Sequence, residues 1–293
     1  MNRRANFWFL LVFLGPSVAL YALFVLLPGL NAFRYSLTRW DGLGDAVWVG
    51  LGNFAKILER SSDFIPALKH NVFLMFVPGC ITLTLALFFA YVIHQGIRGG
   101  RVFRVAYFFP NVISSVAVAL LWVLVYSTTD VGLLNNVLKL WFGRTEPIAF
   151  AESSRLLWAL VPMIVWSSTG FYLVLFLAAM ENIPQTYYEA ARLDGAGSWA
   201  QFWNVTMPLM WDVLTTGIIF LVINGLKIFD VIWVMENGRP TGATHTMATL
   251  MYSKVFEEYN IGYGTAVAVL LFVLVLLATL ISFRLLRRER LEY

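Results

Sequence analysis

The chain has 293 residues, of which 59% are hydrophobic and only 13% charged, with a mean hydropathy of +0.73. A soluble domain carries roughly 25% charged residues, so this composition excludes a water-exposed globule and describes an integral membrane protein. The net charge of +4 fits arginines at cytoplasmic helix ends and requires no nucleic acid, and the single cysteine, Cys80, excludes an intrachain disulfide.

Six apolar runs, at about 7–30, 71–93, 105–126, 156–180, 209–235 and 265–286, are each long enough to cross a hydrocarbon core of roughly 30 Å. They predict an all-α fold of six transmembrane helices in one domain. The first run is longer than a signal-peptide core and lacks a small-residue cleavage site, which predicts an uncleaved span. Pro16, Pro78 and Pro162 lie inside runs and predict kinks. Arg3 and Arg4, then Arg98, Arg101 and Arg104, then Arg284, Arg287, Arg288 and Arg290 fall on one side for an even number of spans. That side is predicted to be cytoplasmic, with both termini inside.

In the external segment 31–70, Trp40-Asp41-Gly42-Leu43-Gly44 reads as a turn. The run from Leu51 to Leu58 suits a short surface helix capped by Asn53. The segment 127–155, with Gly132-Leu133-Leu134-Asn135 at its start, predicts another short external helix.

The cytoplasmic segment 181–208 is too polar to cross a bilayer. Pro184 and Thr186 signal a helix start, Tyr187 to Leu193 is helix-forming, and Gly195 sits where a left-handed cap would end it. Ser198 is the expected cap of a second helix that stops before Pro208. Glu189, Ala190 and Ala191 leave a face with little bulk beside one carboxylate, open to a close partner with a basic group.

Glu189-Ala190-Ala191, then Asp194-Gly195-Ala196, then Phe202, Val205 and Met207-Pro208 resemble the EAA loop of permease subunits from binding-protein-dependent ABC importers. Within that group the chain resembles the sugar permeases of the MalF/UgpA type. Trp40-Asp41-Gly42, the run Val49 to Phe54, Phe109 to Ser114, Gly132 to Asn135, Phe229 to Trp233, and Pro240 through Thr246 to Tyr252 stand in that family's order. Two departures are Gly238-Arg239-Pro240 in place of Gly-Gly-Pro, and a missing second proline near Trp211-Asp212.

The resemblance implies the MetI-like fold of type I importers, in the cytoplasmic membrane of a bacterium or archaeon. It implies as partners a second permease of the MalF/MalG type, two cytoplasmic ATPase subunits, an external solute-binding protein and a sugar. It implies no cofactor on this chain, with ATP and magnesium used by the ATPase. Glu189 would be the ionic contact to the ATPase, Ala190 and Ala191 the close-packing face, and Asp194 with Gly195 the turn.

Within the spans, Asn224, Lys227 and Asp230 recur every three residues, which predicts one side of a helix. Gly225 lets a ligand or a neighbouring helix approach. In the fourth run Trp166, Ser168, Gly170 and Tyr172 stand among further hydroxyls and aromatics. A sugar has apolar ring faces and polar edges and needs both, and these eight residues are the predicted substrate pathway. The competing structural roles are a Lys227–Asp230 pair, packing by Trp166, and hydroxyls of Ser167, Ser168 and Thr169 bonded to backbone carbonyls.

A proton- or sodium-coupled transporter would need an acidic or histidine relay deep in the spans. Only Asp212, Lys227 and Asp230 qualify, since His70, His94 and His245 lie at or outside span ends. No HExxH, GxSxG or Walker pattern is present. If ATP drives transport, its hydrolysis belongs to a separate chain.

Overall fold

A computed structural model describes residues 3–59 and 62–287. Arg288 and Arg290, used above for orientation, lie outside the described residues, as do the side chains of Arg3 and Arg4. The chain divides into two compact units, residues 1–65 with 250–272, and 66–249 with 273–293.

In the first unit α1 (Arg3–Tyr21) passes through a π turn into α2 (Leu27–Ser36). A two-stranded antiparallel ribbon follows, β1 (Thr38–Arg39) with β2 (Val47–Trp48), and then α3 (Gly52–Ile57). Asn53 is not the cap of α3; Leu51 holds that position. The Asn53 amide is buried and donates to the Ser36 carbonyl at 2.9 Å and the Thr38 carbonyl at 2.8 Å. It ties the ribbon to α3, a better use of a buried amide than an exposed cap.

The second unit contains α4 (Phe64–His94, from its third residue on), α5 (Gly100–Val112), α6 (Ser115–Tyr126), α7 (Leu133–Phe142) and α8 (Leu156–Glu181). Then come α9 (Gln185–Leu193), α10 (Ser198–Gln201), a π turn, α11 (Met207–Leu209), α12 (Trp211–Leu226) and α13 (Asp230–Met235). The chain ends in α14 (Met247–Tyr252) and α15 (Ile261–Leu286).

Among the described residues four helices are long and apolar enough to cross a membrane: Val12–Ser36, Phe64–His94, Leu156–Glu181 and Ile261–Leu286. The number rises to six if each of two bent pairs is one span. These pairs depart from the unbroken runs expected from sequence. Within 105–126, Ile113 and Ser114 are extended and turn the chain by 98° between α5 and α6. A second bend, of 74°, separates Ser198–Leu209 from Trp211–Leu226, so the helical path runs through Pro208 rather than stopping before it.

The run 209–235 is also broken near its end. Helix α12 stops at Leu226, Lys227 caps it, and α13 restarts at Asp230. Asn224, Lys227 and Asp230 therefore do not share one helix. The backbone groups freed by this break find partners far along the chain. Asn71 donates to the carbonyls of Gly225 (3.0 Å) and Leu226 (3.1 Å), and Thr246 to that of Ile228 (2.8 Å). Irregular backbone at membrane depth persists only when satisfied in this way.

Two apolar clusters hold this unit. One gathers Ala86, Ala90, Tyr172, Leu173, Phe176 and Met180, and the other Leu74, Ala119, Leu156, Leu160, Met163 and Ile232.

Candidate functional site

A cavity of about 380 Å³ lies where α4, α6, α8 and the α12–α13 break meet. Of the predicted pathway residues, Ser168, Tyr172, Asn224, Gly225, Lys227 and Asp230 line it. Thr82, Ser115, Ser167 and Phe229 join them. Trp166 and Gly170 do not. Trp166 is 41% exposed and faces the Trp122 ring at 6.2 Å. A Cβ on Gly170 would stand 2.0 Å from the Tyr107 carbonyl oxygen, so this glycine allows α8 and α5 to touch backbone to backbone. Gly225 does the same against α4, where a Cβ would meet Met75 at 2.7 Å. Its geometry serves helix approach, one of the two uses expected for that glycine, and it lines the cavity as well.

The charged residues do not form the alternative structural pair. The Ser115 hydroxyl donates to Asp230 at 2.6 Å, and among the described residues Lys227 and Asp230 form no ion pair. Lys227 stands at the break as an exposed cation in the cavity wall. Ser167 and Thr169 do bond backbone carbonyls, those of Ile164 (3.2 Å) and Val165 (2.6 Å). The Thr82 hydroxyl is buried without a hydrogen-bond partner at the cavity wall. Tyr172 and Phe229 offer ring surfaces; Phe229 is stacked on Trp233 at 5.4 Å. The walls thus combine rings, hydroxyls, an amide and both signs of charge.

The segment between α8 and α12 holds the residues expected to couple to a partner. Pro184, extended at φ −58° and ψ 135°, is the cap of α9 and leaves Thr186 with no capping bond. At the other end Gly195 has φ +80°. The Ala196 amide donates to the Ala191 carbonyl at 2.8 Å and the Gly195 amide to that of Arg192 at 3.0 Å, a Schellman end that satisfies the last carbonyls. No atom lies within 4 Å of a Cβ at Gly195, so the glycine answers to backbone conformation rather than space. Ser198 is the first residue of α10 and Gly197 its cap, without a side-chain bond.

Tyr188, which sequence reasoning passed over, anchors this segment. Its side chain is 2% exposed, and its hydroxyl lies 3.0 Å from that of Thr206. Its ring sits 5.5 Å from His94. Burial pushes the Tyr188 phenol above its ordinary pKa, opposed by the Thr206 hydrogen bond. Tyr91 adds a hydrogen bond to the Ser198 carbonyl at 2.6 Å. The signal available in sequence was the Tyr187-Tyr188 doublet, since a polar helix seldom carries a large ring unless one of them packs.

On the other side of α9, Glu189 and Ala190 are exposed and Ala191 half-buried. Glu189 makes no ion pair among the described residues. Asp194 and Gly195 form the exposed turn. Leu193 is 90% exposed and Trp199 74%, large apolar side chains on an otherwise polar segment.

Bilayer-length apolar helices, a polar cavity at a broken helix and a separately anchored polar helix are the features a membrane permease requires. Residues 82–291 match the family model of the binding-protein-dependent transport system inner membrane component, and the chain belongs to that family. It is 36% identical over 277 residues to the diacetylchitobiose uptake system permease protein NgcF of Streptomyces coelicolor, covering 90% of this chain and 78% of that one. It is 31% identical over 299 residues to the trehalose/maltose transport system permease protein MalF of Thermococcus litoralis, covering 98% and 96%. A crystal structure of a bacterial ABC transporter involved in import of the acidic polysaccharide alginate shares the fold, with a TM-score of 0.84 at 21% identity over 97% of each chain.

Proposed function

We propose that the chain forms half of the translocation pathway of an ATP-driven importer for a carbohydrate. The observation that carries this reading is the cavity at the α12–α13 break, where Tyr172 and Phe229 stand among Thr82, Ser168 and Asn224. Rings for the sugar faces and hydroxyl or amide groups for its edges are the chemistry a saccharide requires. The diacetylchitobiose and trehalose/maltose systems of the two relatives support the same substrate class. The second half of the pathway comes from a related permease, and an external binding protein delivers the sugar. Two ATPase subunits hold the ATP and its magnesium; this chain binds neither. Glu189 pairs with a basic group on the ATPase, Ala190 and Ala191 admit its close approach, and Asp194 with Gly195 fixes the turn.

The test is uptake of a labelled oligosaccharide into proteoliposomes holding both permeases and the ATPase, with binding protein outside. Glu189→Ala is expected to lower uptake and binding-protein-stimulated ATP hydrolysis by about tenfold or more, the size of a lost hydrogen bond between charged groups. Asn224→Ala is expected to lower uptake while leaving ATPase binding intact. Normal uptake in Glu189→Ala removes its coupling role, and uptake without any ATPase subunit establishes an ion-coupled transporter instead.

A further inference from the structure

Away from the polar cavity, two hollows meet at one side chain, Arg104. The first, of about 350 Å³, lies between the end of α4, the start of α5 and the end of α8, with His94, Arg101, Arg104 and Glu181 in its walls. The second, of about 340 Å³, runs along α5 past Val105, Phe108, Phe109 and Val112 to Val174 of α8, with an almost wholly apolar wall to which Arg104 adds its aliphatic stem.

The charge in the first hollow is unbalanced. Arg104 Nη2 donates to Glu181 Oε1 at 2.7 Å, which occupies the one carboxylate. The Nε of the same guanidinium is buried and has no hydrogen-bond partner. Arg101, one turn before it, forms no ion pair among the described residues. Two guanidiniums therefore answer one carboxylate, and the start of α5 adds the partial positive charge of a helix N-terminus. The second hollow opens on a stripe of apolar side chains. Val102, Val105, Phe109 and Val112 expose 73%, 64%, 64% and 69% of their surface, at a spacing that puts them on one side of α5.

We infer that these joined hollows bind one anionic phospholipid. Its phosphate lies against Arg101 and the part-exposed guanidinium side chain of Arg104, and one acyl chain follows the groove along α5. A free phosphate would use the first hollow but gain nothing from the second. A zwitterionic lipid would bring its own cation beside Arg101, with Glu181 already engaged. Only a lipid with net negative charge uses both hollows without opposition, as basic pockets at the ends of membrane helices do.

The proposal is tested by native mass spectrometry of the full chain in mild detergent, alone and assembled with its partner subunits. The probes are phosphatidylglycerol, phosphatidylcholine with the same acyl chains, and inorganic phosphate. One phosphatidylglycerol per chain is expected to be retained in preference to phosphatidylcholine. Arg101→Gln, a change at an exposed position outside the packed interior, is expected to cut that preference about fivefold, the attraction of one basic residue near an anionic surface. Glu181→Gln, which releases Arg104, should raise retention, and Phe109→Ser should lower it for both lipids. Equal retention of the two lipids, or no change in Arg101→Gln, overturns the proposal. Displacement by phosphate with Phe109→Ser silent makes this a free-phosphate site instead. Loss of the lipid on assembly makes the groove a subunit contact and likewise overturns it.

Discussion

Asn71 offers the sharpest test of how the broken helix is held. Its side chain is completely buried, donates to the carbonyls of Gly225 and Leu226, and accepts from the Met247 amide at 2.8 Å. Asn71→Ala deletes all three hydrogen bonds. Met247 is itself buried, so its amide is left without a partner, at a cost of about 1–3 kcal/mol. The two carbonyls at the break lose their donor as well and add about 1 kcal/mol more. A loss of roughly 2–4 kcal/mol corresponds to a fall of about 5–10 °C in apparent Tm for a chain of this size. Tryptophan fluorescence of the detergent-solubilised protein during heating measures it. Asn71→Asp separates hydrogen bonding from volume: it keeps the acceptor for Met247 but turns an oxygen toward two carbonyls, and it should be at least as damaging as alanine. A fall under about 1 °C in Asn71→Ala would show that the break stands without this residue and refute the reasoning.

Two further outcomes follow from the packing. Tyr188→Phe should cost about 0.5–1.5 kcal/mol through the bond to Thr206, whereas Tyr188→Ala should cost about 3–5 kcal/mol and free α9, seen as rapid tryptic cleavage after Arg192. Because burial raises the Tyr188 phenol above 10.0, its stabilisation is complete below pH 10 and fades as the pH climbs through the folded value; Tyr188→Phe should remove that alkaline loss. Gly170→Ala drives a methyl group into the Tyr107 backbone, which no rotamer can avoid, and should cost about 1–3 kcal/mol by thermal unfolding, while Gly15→Ala, with nothing within 4 Å, should not lower stability.

The parts legible in sequence are those decided by neighbours along the chain. Apolar runs became helices, Gly195 took the left-handed cap, and the segment after Gly132 formed α7. What escaped was decided by partners distant in sequence. Nothing between Leu209 and Met235 announces a break at Lys227, because the groups that satisfy it, Asn71 and Thr246, lie 154 and 18 residues from the carbonyls they serve. The bend after Val112 was hidden for a similar reason, since an apolar run reads alike whether straight or folded at two extended residues. At the cavity, residue types pointed to Ser168, Tyr172, Asn224, Lys227 and Asp230, all of which line it. They did not separate Gly170, which lies at a close helix contact, or reveal Thr82, which reaches the cavity wall from α4.

The continuity of α8 has a mechanical consequence. From Tyr172 in the cavity wall to Glu181 it is one uninterrupted helix, about 14 Å long, and only three residues then separate it from α9. No glycine or proline softens that stretch, while just before it Gly170 rests on the Tyr107 backbone like a shaft on a bearing. A tilt of about 10° imposed at α9 would swing the lower end of this shaft, about 16 Å from Gly170, through about 2.9 Å about that bearing. The residues beside the pivot would turn rather than travel. Tyr172 and Ser168 flank it, so a push on α9 would reorient the groups lining the cavity more than it would widen the space between them.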